Sequence, residues 1–157
     1  MSSSIDDILY ALRARDAEIE GQELPVPPYR GALLGREFSR SPQRVKIMNE
    51  VGFFGYFAGP EKTVIDYWAL SDPLLARLPF RPGNDWRIGH YPRRIPRGYL
   101  KTVASGEDRF ADRGIAAFYG ALVKVTQGPL FTAERWREIW RLHTGHYDAI
   151  RDRPDYR

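Results

Sequence analysis

A chain of 157 residues with 43% hydrophobic and 13% aromatic content is long enough for one core, which at this size buries roughly 70% of the surface exposed by the unfolded chain. The absence of cysteine excludes disulfides, thiol nucleophiles and cysteine-ligated metals. The longest nearly apolar run, residues 115–125, contains Lys124 and falls far short of the ~20 residues that cross a bilayer, so a single soluble domain over residues 1–157 with no transmembrane segment is expected.

The net charge of +4 is modest but unevenly carried, by 20 arginines and only 4 lysines. Between Arg77 and Arg97 lie six arginines against one acid, Asp85. Planar guanidinium forks suit phosphate and carboxylate, which points to an anionic partner, whereas an arginine-rich background composition explains the same count without one.

In chain order, the first element is an N-terminal helix over residues 4–20. Ser4 and Asp7 stand at capping-box spacing, Ile5, Ile8, Leu9 and Leu12 form an apolar stripe, and Gly21 stops the helix. The start of the chain shows no secretory leader pattern. Residues 21–43, rich in Pro and Gly, read as a connector lying against the domain. Two strands are expected next, in "RVKIMNEVGFFGYF" and "KTVIDYWAL", with "AGPEK" as the turn between them. A short helix follows at Asp72, with Pro73 at its first position and Pro79 after it.

Residues 101–157 read as helical. "PRGYLKTVASGE" suggests a short helix, and "DRGIAAFYGALVKV" a largely buried one with Ile115, Phe118, Tyr119, Leu122 and Val123 inward. The last helix, 132–150, is capped by Thr132, and Phe131 and Trp136 occupy the positions of a hydrophobic staple. Trp136, Ile139, Trp140, His143, Tyr147 and Ile150 repeat at helical spacing, so Trp136 and Trp140 are expected to be buried against the domain or a partner. The fold class is therefore α+β, a single domain that is mainly helical around a small β-sheet.

Few residues suggest chemistry. His143 and His146 stand three apart on a helix, but the aromatic stripe makes His143 a packed side chain rather than a metal ligand, and no metal or cofactor is expected. His90 has no serine-elbow pattern or carboxylate partner at motif spacing, so nucleophilic catalysis is unsupported and no catalytic residue is assigned. Asp72 is most simply a helix cap. Asp66, at a strand end, can orient Arg77, Arg87 or a sugar hydroxyl, or form a structural ion pair. Trp86 and Tyr99 offer flat faces to sugars or guanidinium groups, or belong to the core.

The segment "WRIGHYPRRIPRGYL", residues 86–100, mounts Arg87, His90, Arg93, Arg94 and Tyr99 on a backbone fixed by proline and glycine. It serves either as a preformed site facing Asp66 or as a brace in which Arg87 bonds backbone carbonyls. Arg93 and Arg94 are expected to be exposed. No aromatic ribonucleoprotein motif or recognition-helix pattern accompanies the arginines, so nucleic acid is not the expected partner.

Residues 51–100, with "GYFAGP", "VID" followed by "ALSDPLLARLP", and "WRIGHYPRRIPRGY" as the most specific pieces, resemble the soluble C-terminal extracytoplasmic domain of multi-pass GT-C-type bacterial glycosyltransferases, of the terminal arabinofuranosyltransferase kind. The signature region spans 44–100. The resemblance implies an extracytoplasmic place in the cell envelope, a glycan or anionic headgroup as ligand, and an integral membrane protein as partner. In that family the catalytic aspartate and the polyprenyl-phosphate-sugar cavity belong to the membrane region, which these residues do not include, so this chain is not expected to transfer sugar by itself. The candidate binding residues are Asp66, Arg77, Trp86, Arg87, His90, Arg93, Arg94 and Tyr99. A non-enzymatic structural subunit of an extracytoplasmic complex, docked by its arginine face and its last helix, is the alternative.

Overall fold

The computed structural model describes residues 5–22, 25–80 and 88–153. It is α+β, mainly helical, with one two-stranded sheet. Two compact units interleave along the sequence: Met1–Arg44 with Glu50–Thr63, and Val45–Asn49 with Val64–Arg157.

The first unit is helical. Helix α1, Ile5–Ile19, carries Asp6 and Asp7 in its first turn, where carboxylates complement the helix dipole. It ends as expected at Gly21, whose φ of 65° lets Gln22 N donate to Ala17 O at 2.8 Å. Its apolar stripe of Ile5, Ile8, Leu9 and Leu12 faces solvent, and Ala17 is its one buried residue. Ser4, the other half of the expected capping box, lies outside the described residues.

The segment read as a connector contains an 11-residue helix, α2, Arg30–Arg40. Likewise "GFFGYFA", expected to continue a strand, forms helix α3, Gly52–Ala58. In α2 the glycines serve close helix packing rather than turns, while Gly52 and Gly55 of α3 face open space and do not break the helix. Gly31 and Gly35 stand one turn apart on the buried face of α2, and a Cβ at Gly35 would fall on the carbonyl oxygen of Phe54. This approach stacks Phe38 on Phe54, with ring centroids 5.6 Å apart. Lys62 Nζ then donates to the carbonyls of Ser41 and Gln43 at 2.6 and 2.7 Å.

The second unit holds the sheet. Strands β1, Val45–Met48, and β2, Thr63–Asp66, pair in parallel, since Thr63 N donates to Arg44 O at one end and Tyr67 N to Met48 O at the other. Parallel strands need a crossover rather than a tight hairpin, so "AGPEK" joins α3 to β2 and not strand to strand. A 3-10 turn, Leu75–Arg77, follows as the short element expected at Asp72. Helices α4, Tyr99–Ser105, and α5, Arg113–Gln127, lie where the sequence placed them. The core gathers Ile65, Leu74, Leu75, Ile115, Phe118 and Leu122.

The last expected helix is broken in two. Helix α6, Ala133–His143, is capped by Thr132 Oγ1, which accepts from Arg135 N. It stops at Gly145, whose φ is 76°, and α7, Asp148–Arg151, resumes after it. The inward face of α6 also differs from the aromatic stripe. Glu138 is buried because Tyr147 Oη donates to its Oε2 at 2.8 Å and Arg141 Nη1 donates to its Oε1 at 3.2 Å. That places Trp136 and Trp140 outside, 58% and 69% exposed, so the staple with Phe131, 90% exposed, is not formed.

The α2–α3 contact yields the first prediction. Gly35→Ala forces two backbones apart, and overpacking of this kind costs roughly 1–3 kcal/mol; a thermal melt should show the loss, whereas Gly55→Ala, whose Cβ meets open space, should leave the midpoint unchanged or raised.

Candidate functional site: an arginine-lined pocket

Two of the sequence-predicted site residues are structural. Asp66 is buried at the end of β2, and its carboxylate accepts from the amides of Trp68 at 2.9 Å, Leu70 at 2.7 Å and Ser71 at 2.9 Å, as well as from the Ser71 hydroxyl. This cage bends the chain so sharply that Ala69 sits at φ 61°, a left-handed conformation costly for any residue with a Cβ. Tyr99 is also buried, and its hydroxyl donates to the Asp72 carboxylate at 2.9 Å from Oδ2. Asp72 caps the turn as expected, accepting from Leu74 N and Leu75 N at 3.0 and 2.8 Å.

The remaining candidates are at or near the surface. His90 is half-buried, with its ring edge-on to Trp68 at 5.4 Å; Trp68 thus links it to Asp66, whose carboxylate holds the Trp68 amide. Arg77 donates from Nη1 to Pro73 O at 2.8 Å, and Arg93 to Tyr91 O at 2.7 Å. Arg93 is half-buried rather than exposed, because its strand-like pairing with Phe80 sets its guanidinium 5.9 Å from the Phe80 and Tyr91 rings. Arg77 and Arg93 share a 400 Å³ pocket with Asp152. Arg94 is exposed, as expected. Trp86 and Arg87 lie outside the described residues, and with them the expected pairing of Arg87 with Asp66.

A larger cavity lies further along the same segment. A pocket of about 640 Å³ is lined by Arg94, Arg97, Arg113 and Arg153, with Asp112 as the one acid among the described residues that line it. Three features of the sequence build it. The prolines of "YPRRIPRG" fix the path that brings Arg94 and Arg97 to one wall. Gly98, at φ 91°, lies where a Cβ would strike the backbone of Arg109, and Ala111 N closes the approach by donating to Arg97 O at 3.1 Å. Asp112 then caps α5, accepting from Gly114 N at 2.8 Å and Ile115 N at 3.1 Å.

The charges around the pocket are partly committed. Arg153 Nη1 pairs with Asp112 Oδ2, and Arg113 Nη2 with Asp108 Oδ2 at 2.5 Å. The Arg113 pair, with the Phe110 amide, holds the Asp108 carboxyl below the usual carboxylate range. No ion pair engages Arg97 among the described residues. Among the described residues the guanidinium groups lining this pocket outnumber the acids beside it, Asp108 and Asp112, a setting that attracts anions.

The sequence reading reached Arg94, counted Arg97 only as part of the basic stretch, and missed Arg113 and Arg153, which come from a helix start and the chain's far end. Only "ADRG", an Asp cap followed by Arg, hinted that α5 would present a cation there. His143 and His146 are both exposed, and no group of three metal-ligating side chains occurs among the described residues. No helix there is long and apolar enough to cross a membrane. Compared with protein-family models, curated proteins and solved structures, the chain matches none.

Burial raises the Asp72 carboxyl above its ordinary value, against the lowering pull of its amide and Tyr99 partners. A folded-state value above the unfolded one means that the folded chain holds this proton more tightly. The cost of the buried charge is therefore complete above the raised value and is relieved as pH falls toward the ordinary carboxylate range. Asp72→Asn, which keeps an oxygen for both amides, should flatten that stretch of the stability–pH curve; Asp72→Ala, which removes the cap and strands the Tyr99 hydroxyl, should cost about 2 kcal/mol or more at neutral pH by chemical denaturation.

Proposed function

We propose that this chain is a binding domain for an anionic group, acting as the accessory domain of a polyprenyl-phosphate-sugar-dependent membrane glycosyltransferase system and not as a catalyst by itself. The observation that carries the reading is the pocket walled by Arg94, Arg97, Arg113 and Arg153, in which Asp112 is occupied as a helix cap and ion-pair partner. Its openness to solvent and its fork-shaped donors suit a phosphate, a phosphodiester or a carboxylated sugar. The resemblance of residues 51–100 to the extracytoplasmic domain of GT-C-type enzymes supports the glycosyltransferase setting and an extracytoplasmic location.

Within this reading the two buried carboxylates are not acid–base groups. Asp66 and Asp72 spend their oxygens on backbone amides and hydroxyls, and both are buried away from an incoming hydroxyl. The domain contributes capture and orientation of a charged group, while bond making belongs to the membrane-embedded enzyme.

Two measurements test this. The purified chain, given a polyprenyl-phosphate sugar donor and an acceptor glycan, should show no turnover above a heat-inactivated control. In calorimetry with inorganic pyrophosphate as probe, Arg97→Gln should weaken binding roughly tenfold, the value of one lost charge-assisted hydrogen bond, with the thermal midpoint unmoved and affinity falling as salt rises. Turnover by the isolated chain would overturn the non-catalytic reading, and pyrophosphate affinity indifferent to Arg97 and to salt would overturn the pocket.

A further inference from the structure

The apolar surface that α6 leaves in water is unlike the rest of the exterior. Leu130 and Phe131, on the turn before the helix, are 63% and 90% exposed, and Trp136 and Trp140, one helical turn apart, are 58% and 69% exposed. On the helical wheel the two indoles lie 40° apart, so they form one ridge. Arg137 and Arg141, both exposed, follow along the edge of that ridge, and Glu134 is the exposed acid of the helix. Glu138, the other acid, is turned inward by Tyr147 and Arg141.

The chemistry of this surface, exposed indole and phenyl rings bordered by an arginine, decides what suits it. Amphipathic indole rings prefer the level of lipid headgroups, and arginines beside them meet anionic headgroups. The other exposed apolar stripe, on α1, has the opposite surroundings: Asp6, Asp7, Asp16 and Glu18 outnumber Arg13 and Arg15, and an anionic surface would repel it.

We propose that the ridge of Phe131, Trp136 and Trp140 docks on an anionic lipid surface, with the rings at headgroup depth and Arg137 among the headgroups. This site is separate from the arginine pocket and stands whether or not the pocket takes an anion. Docking requires no covalent step and no change of fold.

The test is cosedimentation of the intact chain with vesicles of phosphatidylcholine alone or with roughly 30% phosphatidylglycerol. The chain should pellet with the anionic vesicles at low salt and much less with the neutral ones. Trp136→Ala with Trp140→Ala should lower partitioning at least tenfold, and Arg137→Gln should lower it roughly fivefold on anionic vesicles only. Phe131→Ser, on the turn outside the helix, should reproduce the aromatic loss if the double variant fails to fold, and Arg13→Gln, on α1, should leave partitioning unchanged. No binding to either vesicle, binding that survives loss of the aromatic ridge, or a ridge whose removal instead converts a dimer to a monomer would each overturn the proposal.

Discussion

Satisfying two buried carboxylates is the constraint on which the second unit depends. Asp66 and Asp72 stand six residues apart, and between them they hold the amides of Trp68, Leu70, Ser71, Leu74 and Leu75. The amides of this turn, which leaves Leu70 and Ser71 exposed, have no helix or sheet partners, and the buried carboxylates need donors that water does not supply. The carboxylates supply those partners, and the chain consequently turns within a few residues from strand β2 into the 3-10 turn. Leu74 and Leu75 are thereby fully enclosed, and Tyr99, bonded to Asp72, brings α4 into the same core. The left-handed Ala69 records how tight the bend must be.

Much of this was legible in the sequence and some was not. Helices α1, α4 and α5 follow directly from apolar spacing, caps and terminal glycines, because their signals are local. The Asp72 cap was legible for the same reason. Helix α2 was hidden because Gly31 and Gly35 carry the same letters whether they bend a chain or let two helices touch, and α3 because Gly52 and Gly55, which face open space, read as strand breakers. The inward face of α6 was misread because hydrophobicity favoured the tryptophans, whereas a charged residue, Glu138, is buried through partners nine residues on in Tyr147 and three on in Arg141. Of the candidate site, the arginine-rich wall at residues 94–97 was visible, but its completion by Arg113 and Arg153 depends on contacts between residues far apart in sequence.

The arginines of the 77–97 stretch divide by what their forks meet. Arg77 and Arg93 return to carbonyls of their own segment, at Pro73 and Tyr91, and so stiffen it. Arg93 is held further by aromatic rings and by burial, which depresses its guanidinium below its ordinary value. Arg97 instead contributes its carbonyl to the fold, through Ala111, and leaves its guanidinium to the pocket. Bracing and binding are thus adjacent roles on one proline-fixed segment, and a stiff wall lowers the entropy lost when an anion is clamped.

The chain passes between its two units at three places, after Arg44, after Asn49 and after Thr63. Neither unit is therefore a contiguous stretch that can be cut out. A truncation beginning after Arg44 would keep α3 but remove α2, exposing Phe54 and Phe57, while one ending at Thr63 would remove most of β2 and leave β1 unpaired. Vectorial synthesis meets the same problem, because α2 emerges before its partner helix and β1 before its partner strand. The nascent chain must hold an unpaired strand and a glycine-faced helix open until residues 50–66 arrive, which makes that short stretch the step at which both units become closable together.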